Sequence, residues 1–501
     1  ASVVAKGTTQ GTVTDIDGNF TIDVPSSVKT LIFSYVGMNT KEVPVKSVMN
    51  VVLDPASLDL EEVVVTGYGI TKKAAFTGSA QTLKSEELVA KTDANFMKSL
   101  QGSVAGLQMN NRGGQPGAYA SVNIRGIGSV NSGTEPLYVI DGMPYFSDKV
   151  GMNSGVGSGQ QASSPLASIN PADIESINVL KDATATSIYG ARAANGVIVI
   201  TTKKGKEGKP QVNLTAKAGV SKVFNLDHNY RTVNLDRYLD IWGRSVSESD
   251  PSKYPTTQAG IDYVKNRYGI NDNTKSVDWL EEVLRTGFTQ EYNVDVQGGK
   301  DGLKYFVSAG YFDNEGVLIG TGMDRYSGRL NLEQSGKVVS FGVQASGSIA
   351  NINNAPSESQ YVNPIVAVYD LRPWEQVYNE DGSYNLDAYY NPVAINDSDK
   401  GDIRKQKQTV AIINPWATVK FAKDFTFKTS LGLNWFNLNE FNLWSMMNPQ
   451  GAEMNRQGIQ NKEDFFTWTF TNTLNWVKTV GSNNFNVLLG QEAQRQTRNR
   501  S

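Results

Sequence analysis

From about residue 210 onward the chain alternates apolar and polar residues with a period of two, which gives a β-strand one dry and one wet face. In 291–297, Tyr292, Val294 and Val296 share one face, and Asn293, Asp295 and Gln297 share the other. The apolar face of 303–313 holds Leu303, Tyr305, Val307, Ala309 and Tyr311. In 339–349, Val339, Phe341, Val343, Ala345 and Ile349 lie opposite Ser340, Gln344, Ser346 and Ser348. In 425–435, Phe425, Phe427, Leu431, Leu433 and Trp435 oppose Thr426, Lys428, Ser430 and Asn434. In 466–476, Phe466, Trp468, Phe470, Leu474 and Trp476 oppose Thr467, Thr469, Thr471 and Asn475. Nine strands are predicted, at 210–221, 289–297, 303–313, 325–333, 338–350, 408–420, 425–438, 464–478 and 484–494.

The gaps between these strands run about 67, 5, 11, 4, 57, 4, 25 and 5 residues, long and short in turn, as in an antiparallel membrane barrel with tight turns at one end and long loops at the other. Aromatic pairs at strand ends, Phe425 with Trp435 and Phe466 with Trp476, fit the girdles of such a barrel. The competing expectation is a large soluble β-sandwich. An open edge in lipid leaves backbone groups unpaired at roughly several kcal/mol each, so nine strands are expected to be part of a larger barrel. The polar stretch 491–501 is expected to mark a break in mid-barrel.

Three regions precede the alternating one. Residues 1–56 read as a small all-β module, with Asp17-Gly18 between the β-rich runs 11–16 and 19–24 as a hairpin signal, and further strands at 31–36 and 51–53. It opens inside an apparent strand and is expected to lack its first strands. Residues 57–73 join an acidic start to Val63-Val64-Val65 and two glycines, Gly67 and Gly69. This segment is either one more strand of the first module or a detachable strand that pairs with a partner's sheet edge. Residues 74–206 mix signals as an α+β domain. Asn170 and Pro171 open a short helix, 176–180 and 196–202 are strands, 183–194 is Ala-rich and helix-compatible, and Pro136-Leu-Tyr-Val-Ile140 is a strand ended by Asp141-Gly142. Glycine-rich loops lie at 126–133 and 151–159. The domain boundaries are thus 1–56, 57–73, 74–206 and 207–501.

Composition removes many chemistries. The chain has 501 residues and no cysteine, which excludes disulfides, thiolate metal sites and cysteine nucleophiles. A net charge of −3 argues against a nucleic-acid binder. Charged residues make up 19% and aromatics 10%, a β-rich balance. No apolar run approaches the ~18 residues a spanning helix needs. The first residues do not read as a signal peptide, so a signal is expected to have been removed or to lie upstream of this chain. The single histidine, His228, lies in a polar loop and reads as exposed rather than catalytic. Gly126-Ile-Gly128 and 155–159 lack the spacing of phosphate-binding loops. Asp23, Asp59 with Glu61 and Glu62, and Glu281 with Glu282 show no acid/base pairing. Asp272 and Asp278 do not have EF-hand spacing. No cofactor, metal or catalytic residue is assigned, and an enzyme is disfavoured.

Several stretches resemble the SusC/RagA family of TonB-dependent outer-membrane transporters of Bacteroidetes. Residues 1–53 resemble its carboxypeptidase-regulatory-like extension, and Glu61-Glu-Val-Val-Val-Thr-Gly-Tyr-Gly69 resembles its TonB-box segment. Ile124-Arg-Gly126, Pro136-Leu-Tyr-Val-Ile-Asp-Gly-Met-Pro144 and Ile169-Asn-Pro-Ala-Asp-Ile-Glu-Ser-Ile177 resemble plug motifs. The most specific stretch is Val179-Leu-Lys-Asp-Ala-Thr-Ala-Thr-Ser-Ile-Tyr-Gly-Ala-Arg-Ala-Ala-Asn-Gly196. Gly310-Tyr-Phe-Asp-Asn-Glu-Gly316 and Arg325-Tyr-Ser-Gly-Arg-Leu-Asn331 resemble early barrel strands.

The resemblance implies a transmembrane β-barrel, here the N-terminal part of a 22-stranded one, with an α+β plug and a small N-terminal β-sandwich-like domain. It places the chain in a Gram-negative outer membrane, with 1–73 periplasmic. It implies active import of an oligosaccharide or oligopeptide. Glu61, Glu62, Val63, Val64, Val65, Thr66 and Gly67 would join a strand of TonB. The plug motif would be carried by Arg125, Gly126, Asp141, Gly142, Lys181, Asp182, Tyr189, Gly190, Arg192, Asn195 and Gly196. Arg125 and Arg192 would either pair with the barrel wall or stay exposed or paired within the plug. A SusD-like lipoprotein would close on the long loops 223–288 and 351–407. There Trp242, Tyr361, Tyr369 and Trp374 would stack on ligand or, the reading favoured for each, pack the loop cores. Homodimerisation stays open, as do a siderophore or cobalamin receptor and a non-transporting surface-binding scaffold.

Overall fold

A computed structural model describes residues 1–8, 10–15, 18–35, 38, 40–53, 63–66, 69–72, 80–85, 96–111, 114–126, 134–145, 147, 150, 163–182, 186–224, 233–356, 362–387, 390–481 and 483–501. The chain forms two compact units, 1–63 with 71–76, and 64–70 with 77–501.

In the first unit, β1 (Ser2–Ala5), β2 (Gly11–Val13), β3 (Thr30–Ser34) and β4 (Lys41–Pro44) make one antiparallel sheet in the order β2-β1-β3-β4. Alternation buries Val3, Ala5, Leu31 and Phe33 on one face, against Phe20, Ile22 and Val24. At the expected turn Asp15 N donates to Asn19 O at 2.9 Å and Gly18 stands at φ 86°, while Ile16 and Asp17 lie outside the described residues. Residues 19–24 pack over the sheet as irregular chain rather than as the second hairpin strand, and 51–53 likewise form no strand. β5 (Val63–Thr66) and β6 (Gly69–Lys72) pair as a two-stranded ribbon.

The second unit begins with β7 (Ala80–Lys84), the single-turn helix α1 (Met97–Leu100), β8 (Leu107–Asn111), β9 (Ala120–Ile124), β10 (Leu137–Ile140), β11 (Met143–Tyr145), β12 (Ile174–Leu180) and β13 (Val197–Thr202). β8 and β9 pair as a ribbon, and the rest form a five-stranded sheet, β11-β10-β13-β12-β7. β10 and β13 run parallel at its centre, and both are almost continuously apolar, as strands covered on both faces must be. Asp141 and Gly142 join β10 to β11 at φ 50° and 88°, the two-residue turn that requires positive φ at both positions. Asn170 caps a helical turn as its sequence predicts, accepting from Ala172 N at 3.1 Å, but the turn is a 3-10 turn of three residues, Pro171–Asp173. Strand β12 starts at once at Ile174, because its apolar residues belong to the sheet core. Within the Ala-rich stretch, Ser187–Ala193 forms 3-10 turns broken at Gly190, with φ 66° and ψ −155°.

Nine long strands follow: β14 (Gly208–Ser221), β15 (Gly287–Lys300), β16 (Leu303–Glu315), β17 (Gly322–Gln334), β18 (Val339–Asn353), β19 (Ile403–Phe421), β20 (Phe425–Trp444), β21 (Gln457–Val480) and β22 (Asn483–Arg500). They form one antiparallel sheet in chain order. The short connections β15–β16, β17–β18, β19–β20 and β21–β22 fall at one edge, and the longer connections β14–β15, β16–β17, β18–β19 and β20–β21 fall at the other.

The orientation of the two faces decides between barrel and sandwich. Tyr292, Val307, Tyr326, Phe341, Ile349, Ile413, Trp435, Phe466 and Phe470 are exposed, while Ser308, Asn331, Gln344, Gln408, Asn434, Thr467 and Thr469 are buried. A water-soluble sheet does the reverse. An apolar belt this continuous far exceeds the patch a soluble monomer tolerates and suits a wall with lipid outside. The fold is a β-barrel wall with a plug and an N-terminal β domain.

Aromatic side chains mark two levels on the outer face. Tyr292, Tyr311 and Tyr326 stand in a row on β15–β17, with ring centroids 6.4 and 5.0 Å apart. Phe421, Phe425, Trp476 and Phe485 form another row beside the tight turns, each about one ring from the next at 5.6, 6.4 and 6.5 Å. Phe425 pairs across strands with Trp476, and Trp435 with Phe466. The two pairs are thus separated by the roughly 9–11 residues a tilted strand needs to cross a bilayer.

The long connections are more ordered than their composition suggests. Residues 222–286 contain α2 (Leu235–Ser249), α3 (Thr257–Tyr268) and α4 (Trp279–Val283), and α5 (Pro364–Asp370) lies in 354–402. Asn234 caps α2 by accepting from Arg237 N at 3.0 Å, and Leu235, Leu239, Trp242 and Val246 form its packed stripe with Val264 and Ile270. α2 crosses α3 where Gly243 meets Gly260, and a Cβ on Gly260 would fall on the Gly243 carbonyl. Gly260→Leu is therefore expected to separate the two helices at a cost of about 1–3 kcal/mol or more. Amide exchange rising across 235–268 and unchanged in the plug strands would show it.

Candidate functional site

The seam between plug and wall gathers the buried polar side chains of the second unit. It has two apolar parts: Val410, Phe436, Leu438 and Phe465 of the wall join the plug core of Leu83, Phe96, Leu100, Val122, Tyr138, Ile177 and Ile198, and Ala167 of the plug sits among Phe312, Met323, Ala350 and Ile352 of the wall. Between them run hydrogen bonds. Ser308 Oγ donates to Asp173 Oδ1 at 2.6 Å, Asn170 Nδ2 to Asn293 Oδ1 at 2.9 Å, and Ser168 Oγ to Gln408 Oε1 at 3.0 Å. Ser163 donates to Gln406, which in turn donates to Glu440 at 2.7 Å. Gln115 donates to Asn354 at 3.2 Å and accepts from Ala355 N at 2.9 Å.

Two arginines of β17 are the strongest clasps. Arg329 Nη2 lies 2.6 Å from Asp141 Oδ2, with side chains 5% and 6% exposed, and also donates to Thr202. Asp141 further accepts from Thr202 N at 3.0 Å and Thr202 Oγ1 at 2.6 Å. Its carboxylate is thus saturated with donors, the condition under which a buried charge is tolerated. Arg325 is fully buried and donates through Nη1 to Ala167 O at 2.8 Å and Ile169 O at 2.9 Å, with its guanidinium 5.2 Å over the Phe312 ring. Both arginines, with Asn331, occupy the polar face of β17, opposite Tyr326, Leu330 and Leu332. Charge at inward positions of a strand was a readable signal, and sequence reasoning gave neither arginine a role.

Burial pushes the Asp173 carboxyl above the ordinary range, outweighing the Ser308 hydrogen bond and the nearby Arg329, Lys203 and Arg325. Because the seated plug holds the proton more tightly than the unfolded chain, this group adds stability as pH falls through its raised value and takes it away again as pH rises. Asp173→Asn is expected to leave plug stability at pH 7 unchanged or raised and to flatten its rise toward pH 5. Urea-induced plug proteolysis at both pH values checks this.

The plug-motif residues fall into different places. Asp141 and Gly142 form the turn that meets Arg329. Arg192 crosses to the wall, 2.6 Å from Glu492 Oε1 and bonded also to Gln494. Arg125 instead pairs inside the plug with Asp182, with its own backbone at φ 59° and its N–H donating to Gly106 O at 2.8 Å. Gly126 follows it at φ 100°. Lys181 donates to Ala105 O at 2.6 Å and Gln81 Oε1 at 3.1 Å, and partial burial beside Arg125 lowers its pKa. Tyr189 is buried, Gly190 kinks the turn, and Asn195 donates to Glu135 O at 3.3 Å. Gly196, at φ 93°, leaves no room for a Cβ beside Ile124 and the Leu180 carbonyl. These residues build the plug; they converge on no cavity.

Of the residues expected to form a TonB box, Val63, Val64, Val65 and Thr66 form strand β5, and Glu61, Glu62 and Gly67 lie outside the described residues, as do His228 and Tyr361. Trp242 and Trp374 stack at 5.8 Å in the loop core with Tyr238 and Tyr268, and the Arg372 guanidinium sits 4.8 Å from the Tyr268 ring centroid. Tyr369 is exposed. Asp278 caps α4, accepting from Leu280 N at 3.1 Å.

Comparison with known proteins gives the same picture. Residues 72–197 match the TonB-dependent receptor plug domain, and residues 1–65 match the CarboxypepD_reg-like domain. TonB-dependent receptor P39 of Formosa agariphila is 32% identical over 95% of this chain and 43% of its own length. TonB-dependent receptor SusC of Bacteroides thetaiotaomicron is 30% identical over 100% of this chain and 49% of its own. The RagAB peptide importer in its open-open state superposes with a TM-score of 0.67 at 28% identity, over 87% of this chain and 50% of that one. The chain spans about half the length of the curated relatives it matches. With plug, outward apolar wall and N-terminal β domain in place, the chain belongs to the SusC/RagA family of TonB-dependent receptors, β-barrel proteins of the Gram-negative outer membrane.

Proposed function

We propose that the chain works in TonB-dependent import of a large nutrient across the outer membrane. The observation that carries this reading is the makeup of the plug–wall seam. The hydrogen bonds and ion pairs that span much of this seam can be re-solvated as the stopper moves, whereas a seam sealed by apolar contact alone would expose all of that area to water at about 25 cal/mol per Å². The outer membrane has no energy source of its own, so the work must arrive mechanically. Val63, Val64 and Val65 add to a strand of TonB, and backbone hydrogen bonds supply the grip.

The cargo is an oligosaccharide or an oligopeptide; similarity to a RagAB peptide importer supports the peptide, and similarity to a SusC receptor supports the same architecture. The helical long connections, with α2, α3 and α5 outside the wall, are the seat for a SusD-like surface lipoprotein.

Deleting residues 58–67 in cells tests the reading. Uptake of oligopeptide or oligosaccharide is expected to vanish while surface binding persists, and undiminished uptake would refute it. A milder variant refines the mechanism. Val64→Pro removes one backbone donor and is expected to depress uptake strongly, whereas Val64→Thr, which keeps the N–H, is not.

A further inference from the structure

The tight-turn edge of the wall carries four lysines, two of them beside the lower aromatic row. Lys423 lies between Phe421 and Phe425, and Lys478 two residues past Trp476 on the same outward face. Lys300 continues the outward face of Tyr292, Val294 and Val296, and Lys337 sits in the turn before the exposed Val339 and Phe341. All four are exposed. Lys478 pairs with Asp424 at 3.2 Å. Lys300, Lys337 and Lys423 make no ion pair among the described residues, although Asp301 and Asp424 are near them in sequence.

The turn around Lys423 adds a second observation. Ala422 and Lys423 both stand at positive φ, 48° and 56°, where Gly or Asn would fit with less strain. The neighbouring tight turns use Asp301-Gly302 and Gly481.

We propose that Lys300, Lys337 and Lys423, along the tight-turn edge whose β19–β22 end carries the Phe421–Phe425–Trp476–Phe485 row, form a belt that binds the headgroups of anionic phospholipids in the periplasmic leaflet. Aromatic rings place the bilayer boundary at their own level. Unpaired ammonium groups one step farther out then stand at headgroup depth, where each attracts an anionic lipid phosphate. Lys300 lies on the outward, lipid-facing side of its strand, and the other two stand exposed in the turns of the same edge.

The test is native mass spectrometry of the purified detergent-solubilised protein, titrated with dioleoyl phosphatidylglycerol and, separately, dioleoyl phosphatidylethanolamine. The unmodified protein is expected to retain phosphatidylglycerol preferentially. The K300S/K337S/K423N variant is expected to lose roughly fivefold in affinity per lysine removed, about a hundredfold in all. Lys423→Asn eases its turn, and K275S, in the long connection between β14 and β15 and off the wall, should change nothing. Equal retention of the two lipids, unchanged binding by the triple variant, or displacement of the lipid by sodium phosphate at matched ionic strength would overturn the proposal.

Discussion

Replacing Arg329 by alanine is expected to loosen the plug by about 3–5 kcal/mol, because it strands the Asp141 carboxylate in a buried site. The two groups lie 2.6 Å apart and are both almost wholly enclosed. Thr202 still donates to Asp141 through its N–H and hydroxyl, but two neutral donors do not replace a cation. Removing both charges with Arg329→Met and Asp141→Asn is expected to recover most of the loss, since neither variant then buries an unpaired ion. The readout is urea-induced protease sensitivity of the plug. A double variant as unstable as the sum of the singles would show that the pair is not coupled.

Arg325→Met is expected to cost about 2–4 kcal/mol for a different reason. The side chain keeps most of its volume but leaves the Ala167 and Ile169 carbonyls without donors, each at about 1–3 kcal/mol. Its ring contact with Phe312 is lost as well. The damage should be local. Amide exchange is expected to rise in 163–174, the segment that Arg325 straps to the wall, and to stay unchanged in the central strands β10 and β13. Faster exchange throughout the plug sheet would mean that Arg325 supports the whole plug rather than this strap.

The wall was legible because period two is a local signal. Each strand had to place residues such as Val307 and Ser308 on opposite faces whatever surrounded it. Strand ends were read short, as at 464–478 against Gln457–Val480, since the alternation there weakens into polar residues. The plug was less legible. Ile174 reads equally well as helix or strand, and sheet pairing with β13 decides it. The loop helices went unread although Asn234 and the 235, 239, 242, 246 spacing marked α2. The seam itself needed three dimensions. Asp141 and Arg329 are far apart in sequence, and nothing in either segment says that a turn of the plug meets the inner face of β17. Arg125 and Arg192 show the same limit, for similar motif arginines end on Asp182 of the plug and Glu492 of the wall.

The wall's inverted polarity is the claim on which the rest stands, and the absence of cysteine makes it directly testable. Single cysteines at 303–312, each bearing a nitroxide, can be compared in outer membranes for collision with lipid-soluble oxygen and with a water-soluble nickel chelate. Oxygen access is expected to oscillate with period two, with maxima at 305, 307, 309 and 311 and minima at 306, 308, 310 and 312, where the plug lies. Maxima at the even positions, or no oscillation, would contradict a wall that faces lipid with its tyrosines and valines.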